Sequence, residues 1–428
     1  MPSLEINFCG VKSPNPFWLA SAPPTNTAEQ VMRAFDYGWG GAVWKTLGKP
    51  IQNVSSRFAA VKYKGQSIMG LNNIELITDR SLEINFQEIN YVKKRYPKNT
   101  LIVSLMVESK EEWRDIIRRS EDAGADLLEL NFGCPHGMCE RGMGSAVGSE
   151  PQILLEITSW AVELAKVPVI VKLTPNITDI IDSGLAAIHG GAPAISLINT
   201  IKSLIGVDLE RLVPLPRVGN FSTNGGYCGP AVKPIALHML GALARHPETS
   251  RATFSGIGGI ANWQDAAEFI ALGATSVQVC TAVMHHGYRI IEDMCEGLSY
   301  YLKNQGLNAL EQLRGQAATN FKEWRELDLN YRVVAEIDEK TCIGCNKCYV
   351  SCRDGAHQCI YLPSMDKDSV VNLGHPIPPG DELFSKNKTR KAPWVDETEC
   401  IGCNLCELVC PVPGCITMVE KPARSYIF

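Results

Sequence analysis

A chain of 428 residues with 45% hydrophobic and 20% charged residues has the balance of a folded globular protein. It is too long for one ordinary core, so at least two domains are expected. The net charge of −5 argues against a nucleic-acid or anionic-membrane partner, since both favour basic patches. No apolar run approaches the ~20 residues of a membrane span. The start, MPSLEINFCG, has neither the basic nor the apolar stretch of a signal peptide. A cytoplasmic protein is the expectation.

From about residue 15 to 305, short β-rich runs alternate with helical stretches. The candidate strands are FWLASA (17–22), GAVWKT (41–46), LIVSLM (101–106), DLLELN (126–131), PVIVKL (168–173), AISLIN (194–199), ATFSGI (252–257) and TSVQVC (275–280). Segments such as EEWRDIIRRSEDAGA and DIIDSGLAAIHGGA follow, with apolar residues at three- and four-residue spacing. The GA and GGA steps before strands read as helix C-caps. Eight such units predict a (β/α)8 TIM barrel, with a doubly wound parallel sheet as the rival topology.

A barrel keeps its chemistry at the C-terminal ends of its strands. Here those ends carry Ser21, Lys45, Thr46, Asn131, Lys172, Asn199, Thr200, Gly258, Gly259, Cys280 and Thr281. Any one polar residue there can simply meet water, but that does not account for two lysines and two asparagines together. GIGGI (256–260) has the form of a phosphate nest, in which glycines let backbone N–H groups converge on an anion at a helix start. The chain has no G-x-G-x-x-G between a strand and a helix with an acidic residue downstream, so a nicotinamide cofactor is not expected here. FMN fits better, because a flavin exchanges a hydride with substrate and single electrons with metal clusters.

The cysteines are uneven: six in the first 341 residues and ten in the last 87. Cys342, Cys345, Cys348 and Cys352 form one C-x2-C-x2-C-x3-C run, and Cys400, Cys403, Cys406 and Cys410 form another. This is the two-cluster ferredoxin pattern: three thiolates wrap one cubane, and the fourth, at the start of a following helix, ligates the neighbouring one. One 4Fe–4S cluster then takes Cys342, Cys345, Cys348 and Cys410, and the other takes Cys400, Cys403, Cys406 and Cys352. Zinc is the alternative metal, but it usually takes paired C-x2-C ligands. Arg353 follows Cys352 where the pattern has the proline found at Pro411. Cys359 and Cys415 read as ordinary buried thiols, and the polar, Pro-rich stretch 372–391 reads as a surface loop. The expected organisation is a barrel over 1–310, a linker over 311–332, and a small α+β ferredoxin-like domain with two clusters over 333–428.

Over almost the whole chain these residues resemble a known family. NPFWLASAP, GWGGAVWKT, LNNIELI, LELNFGCPHGMCERGMG, VKLTPNITDI, LINTI, GYCGPAVKPIAL, SGIGGI, WQDAAEF and GYRIIEDMCEGLSYYL resemble the FMN barrel of the dihydroorotate and dihydropyrimidine dehydrogenases. The fusion to two C-terminal clusters is similar to the dihydropyrimidine branch. The resemblance implies that Ala20, Lys45, Thr46, Asn131, Lys172, Gly229, Gly258, Gly259, Cys280 and Thr281 contact FMN. It implies that Asn73, Glu75, Asn131, Asn199 and Thr200 hold a pyrimidine, and that Cys134 is the catalytic acid. Cys134 stands two residues before His136 in a Gly- and Met-rich loop that Gly142, Gly144 and Gly148 would let close; Cys139 on the same loop is a lesser candidate. Residue 133 is glycine, where related enzymes carry serine.

The implied activity is reduction of uracil and thymine to their 5,6-dihydro products. Electrons would come from an FAD-containing, NAD(P)H-oxidising partner subunit, through the clusters to FMN, in a heterotetramer. Two rivals stand beside it: a dihydroorotate-type substrate, and an iron–sulfur electron-transfer subunit whose barrel does not catalyse.

Overall fold

Runs rich in Val, Ile, Leu and Trp, apolar on both faces, can only be strands of a sheet covered on both sides. The computed structural model describes residues 2–63, 66–135, 137, 142–363 and 392–422; the readings of His136, Cys139 and the stretch 372–391 lie outside them. All eight runs become parallel strands: β1 (Phe17–Leu19), β2 (Gly41–Leu47), β3 (Thr100–Leu105), β4 (Leu127–Asn131), β5 (Val169–Lys172), β6 (Ala194–Leu197), β7 (Thr253–Ile257) and β8 (Ala274–Val279). They close in sequence order, with β8 pairing back onto β1, so the barrel and not the doubly wound sheet is the fold.

The helices between them start and stop where the sequence signals it. Lys110–Asp122 opens on a reciprocal capping box between Ser109 and Glu112, and Trp263–Ala271 on one between Asn262 and Asp265. Gly38, in the left-handed region, ends Ala28–Tyr37 and donates to the carbonyls of Ala34 and Phe35. Trp18, Trp39, Trp44, Trp113 and Phe269 are fully buried in the core between helices and strands.

Two insertions at the C-terminal mouth have no counterpart among the expected strands. After β2 come Phe58–Tyr63 and Gln66–Asn73, and after β6 come Ile201–Ser203 and Gly225–Cys228. They join as one four-stranded antiparallel sheet.

The chain divides into a unit over residues 1–321 and another over 322–428. Residues 311–321, assigned to the linker on sequence, pack on the barrel: the Gly315 and Ala317 amides donate to the Ile270 and Ala271 carbonyls (3.0 and 2.8 Å).

The second unit is two near-copies of one motif. Val333–Ile337 pairs antiparallel with Ile416–Glu420, and Ile360–Tyr361 with Trp394–Val395. Each copy carries a C-I-G-C-N turn in which glycine and asparagine are both left-handed: Gly344 (φ 69°) and Asn346 (φ 56°), Gly402 (φ 74°) and Asn404 (φ 66°). Among residues with a Cβ, asparagine tolerates that region well. The helices differ from expectation. Lys347–Gly355 already contains the third cysteine, Cys348, and holds Cys352 inside its last turn, while Cys410 follows the short helix Leu405–Leu408. Each asparagine sits at the helix N-cap, so each helix begins ahead of the third cysteine rather than the fourth.

Candidate active site

Alternation along a strand sends every second side chain into the barrel. On β4 this places Glu129 and Asn131 inside, two residues apart. Glu129 is completely buried and lies at the centre of a polar layer. Ser196 Oγ and Gln278 Nε2 donate to its Oε2 (2.9 and 3.0 Å). Gln278 also donates to Ser255 Oγ (3.2 Å), which accepts from Ser276 (2.8 Å). Lys172 Nζ, 3.4 Å from Glu129 Oε1, rises from this layer to the cavity above.

One layer higher, a chain of hydrogen bonds crosses the strand ends. Asn199 Nδ2 donates to Asn131 Oδ1 (2.9 Å), and Asn131 Nδ2 donates to Thr46 Oγ1 (3.0 Å). Thr46 also meets the hydroxyls of Ser21 (3.0 Å) and Ser104 (2.9 Å), and Asn199 Oδ1 accepts the Thr200 amide (2.8 Å). These bonds fix the rotamers of Asn131 and Asn199 before any ligand arrives. On the inserted sheet, Asn73 Oδ1 accepts the Glu75 amide (2.6 Å), and Glu75 Oε1 takes ion pairs from Lys45 (2.8 Å) and Arg57 (2.7 Å).

Every described barrel residue singled out from the sequence for cofactor, pyrimidine or acid lines this one cavity; Cys139 lies outside the described residues. It holds about 1400 Å³ free of protein atoms, counting its open mouth. Cys134 borders it on one side, against an apolar cluster of Ile77, Met106 and Met143. Gly229, Gly258 and Gly259 border it on another, all at positive φ. A Cβ at Gly258 would stand 2.8 Å from that of Ala236, and one at Gly259 2.8 Å from that of Lys233. Bare backbone is therefore obligatory in this wall, which suits close approach of a phosphate. Cys280 caps the short helix Thr281–His286, and burial pushes its thiol up to about 12. Burial likewise raises Cys228.

Sequence reasoning missed Glu129, Gln278, Arg57, Cys228 and the His285–His286 pair, which also borders the cavity. Glu129 did carry a signal, being the one charge inside the apolar run LLELN. Arg57 carried none, since its role depends on a sheet formed from distant segments.

In the second unit, Cys352 lines one recess together with Cys400, Cys403 and Cys406. Cys348, Cys352, Cys400 and Cys406 are buried, while Cys345 and Cys403 reach the surface. Among the described residues, no three His, Cys, Asp or Glu side chains converge as they would around a single ion.

An eight-stranded barrel with a glycine-walled anion cradle, a buried lysine and a fused two-cluster unit defines a flavin-dependent, iron–sulfur oxidoreductase. The chain belongs to the dihydroorotate dehydrogenase family, which it matches over residues 3–302; it also matches a 4Fe–4S dicluster domain over 335–375 and a 4Fe–4S binding domain over 393–413. Its cofactors are FMN and two 4Fe–4S clusters. It is 41% identical to the NAD-dependent dihydropyrimidine dehydrogenase subunit PreA of Escherichia coli over 97% of this chain and 95% of that one. It is 41% identical to the chloroplastic dihydropyrimidine dehydrogenase (NADP(+)) of Arabidopsis thaliana, over 76% and 79%. With the catalytic subunit of dihydroorotate dehydrogenase B (NAD(+)) of Pyrococcus abyssi it shares 35% identity over 73% and 99%. Among the described residues, no helix is long and apolar enough to cross a membrane.

Proposed function

We propose that this chain is the catalytic subunit of a dihydropyrimidine dehydrogenase and reduces uracil and thymine to 5,6-dihydrouracil and 5,6-dihydrothymine. The observation that carries the proposal is the meeting of Cys134 with Asn73, Asn131, Asn199 and Thr200 around one cavity. A uracil edge alternates carbonyl acceptors and N–H donors, and carboxamides offer both, so fixed asparagines can bind it in register. A site built to pair those groups rejects analogues that lack them.

When bound, FMN would supply hydride chemistry at one alkene carbon and the clusters would supply single-electron transfer. The rest is done by the chain. Ala20, Lys45, Thr46, Asn131, Lys172, Gly229, Gly258, Gly259, Cys280 and Thr281 hold the flavin, and Lys172 gives the floor of the site a positive charge that favours negative charge above it. Asn73, Glu75, Asn131, Asn199 and Thr200 orient the pyrimidine. Cys134 holds a proton at Sγ and gives it to the second alkene carbon. Cys342, Cys345, Cys348 and Cys410 hold one cluster, and Cys400, Cys403, Cys406 and Cys352 the other.

Lys45 and Arg57 share the one carboxylate of Glu75, and Lys172 faces Glu129. The NAD(P)H-oxidising step belongs to an FAD-containing partner in a heterotetramer, and the assembly works in the cytoplasm. The test is oxidation of the reduced protein by uracil, thymine and orotate in turn, read from flavin absorbance. Uracil and thymine should reoxidise it; reoxidation by orotate alone would reverse the assignment. Cys134→Ala should lower pyrimidine turnover by about 10²–10⁴-fold, and unchanged turnover would remove Cys134 from the mechanism.

A further inference from the structure

The cluster unit is a duplicated motif with one cysteine in each half beyond the eight of the ferredoxin pattern. Asp-Glu-x-x-Cys-Ile-Gly-Cys-Asn opens both halves, at 338–346 and 396–404, and Cys359-Ile360 and Cys415-Ile416 close them. The backbone keeps the symmetry: the Cys359 carbonyl accepts the Asp396 amide (2.8 Å), and the Cys415 carbonyl accepts the Asp338 amide (2.8 Å). Each extra cysteine is thereby pinned beside the opposite half's first run.

The side chains keep the symmetry only in part. Cys415 directs its thiol at the Asp338 carbonyl (3.7 Å) and also meets the thiol of Cys410. Cys359 meets two thiols: its Sγ lies 3.6 Å from Cys352 Sγ and is in hydrogen-bond contact with Cys400. Six residues separate Cys352 from Cys359, against four between Cys410 and Cys415. The longer loop ends on Gln358, left-handed at φ 60°, whose amide returns to the Cys352 carbonyl (3.1 Å) and folds Cys359 back onto the helix. Cys359 is 4% exposed and lines the same recess as Cys352, Cys400, Cys403 and Cys406. Five thiols therefore surround a site that needs four.

We propose that Cys359 is a reserve ligand of the cluster held by Cys400, Cys403, Cys406 and Cys352, and takes the iron position of Cys352 when that thiolate is lost. Two sulfurs on one tetrahedral metal, with bonds of about 2.3 Å, are about 3.8 Å apart. The 3.6 Å between Cys352 and Cys359 matches the separation of two ligands able to reach one iron. In the intact protein the exchange needs no electrons. One iron–sulfur bond forms as the other breaks, and the Cys359 proton passes to the departing Cys352 sulfur.

The test uses the full chain carrying Cys352→Ala, Cys359→Ala or both. Iron and acid-labile sulfide are measured, electron paramagnetic resonance is recorded, and FMN content serves as the check on the barrel. Each single variant is expected to keep the iron and sulfide of the unmodified protein. The double variant is expected to lose iron from one cluster, with the resonance of an oxidised three-iron centre, while FMN stays unchanged. Iron loss in Cys352→Ala equal to that in the double variant would overturn the proposal, and so would full iron in the double variant. Cys352→Ser, with and without Cys359→Ala, carries the same comparison if the alanine variant does not fold.

Discussion

The two units reach a finished site by opposite routes. In the barrel, a shell of Trp18, Trp39, Trp44, Trp113 and Phe269 is buried away from the chemistry, and the polar residues of the cavity are held by one another. In the cluster unit the site is the core. Among the described residues, Cys348, Cys352, Cys359, Cys400, Cys406 and Cys415 make up most of its one apolar cluster, packed with Val334, Ala335, Ile360 and Ile416. Hydrocarbon burial can fold the first without its cofactor, whereas the second buries far less hydrocarbon, and four of its cluster ligands sit inside its apolar cluster. Binding of the metal there is largely folding free energy.

The largest expected effect follows directly. Anaerobic removal of iron with a chelator should unfold the cluster unit and leave the barrel standing. Limited proteolysis with mass spectrometry should then yield a stable fragment ending near residue 321, the boundary between the units. Equal resistance of both units in the iron-free protein would erase the contrast. Next in size is the pair buried inside the barrel. Glu129→Gln leaves Lys172 without its counter-charge and should cost about 3–5 kcal/mol, measured by thermal or denaturant unfolding. Replacing Glu129 and Lys172 together by apolar residues should recover most of that loss, because the desolvation of both charges is removed. A loss under about 0.5 kcal/mol for the single change would show that the pair adds nothing to the preformed site.

The same contrast decides what could be read in the sequence. Strands of a parallel barrel are locally marked, so LIVSL and VIVK declare themselves, and so do the residues at their ends. Ligand runs such as CIGCNKC are marked by spacing alone. What stayed hidden depends on segments distant in the chain. Glu75 was legible as a site residue, but its pairing with Lys45 and Arg57 exists only because residues 58–73 and 201–228 assemble into one sheet over the mouth. Cys359 read as an inert thiol because its spacing fits no ligand pattern. Only the fold shows it returning to Cys352 through the left-handed Gln358.

A smaller effect probes how tightly the barrel site is preformed. A Cβ on Gly133 would stand 2.3 Å from Cβ of Asn199 and 2.6 Å from its Nδ2, so Asn199 would have to leave its bond to Asn131. Gly133→Ala should weaken uracil binding by about tenfold, the worth of one hydrogen bond, with little change in thermal stability. A flavin-absorbance titration measures this, and unaltered affinity would mean that Asn199 does not need its place. Gly133→Ser should act in the same direction.

The smallest effect is a designed absence of change. The Cys280 thiol is pushed up to about 12 by burial, from an ordinary 9.0. Below pH 9 the folded and unfolded chains both keep its proton, so Cys280 contributes no pH dependence of stability there. Above pH 9 the unfolded chain ionises first, and the stability this group confers is lost as the pH rises toward about 12. At pH 8, iodoacetamide should leave Cys280 unmodified in the folded protein and label it after denaturation, as peptide mass spectrometry would show. Stoichiometric labelling of the folded protein at that pH would mean that this side of the cavity admits water and reagent freely. The barrel would then resemble the cluster unit in needing its cofactor to complete the site.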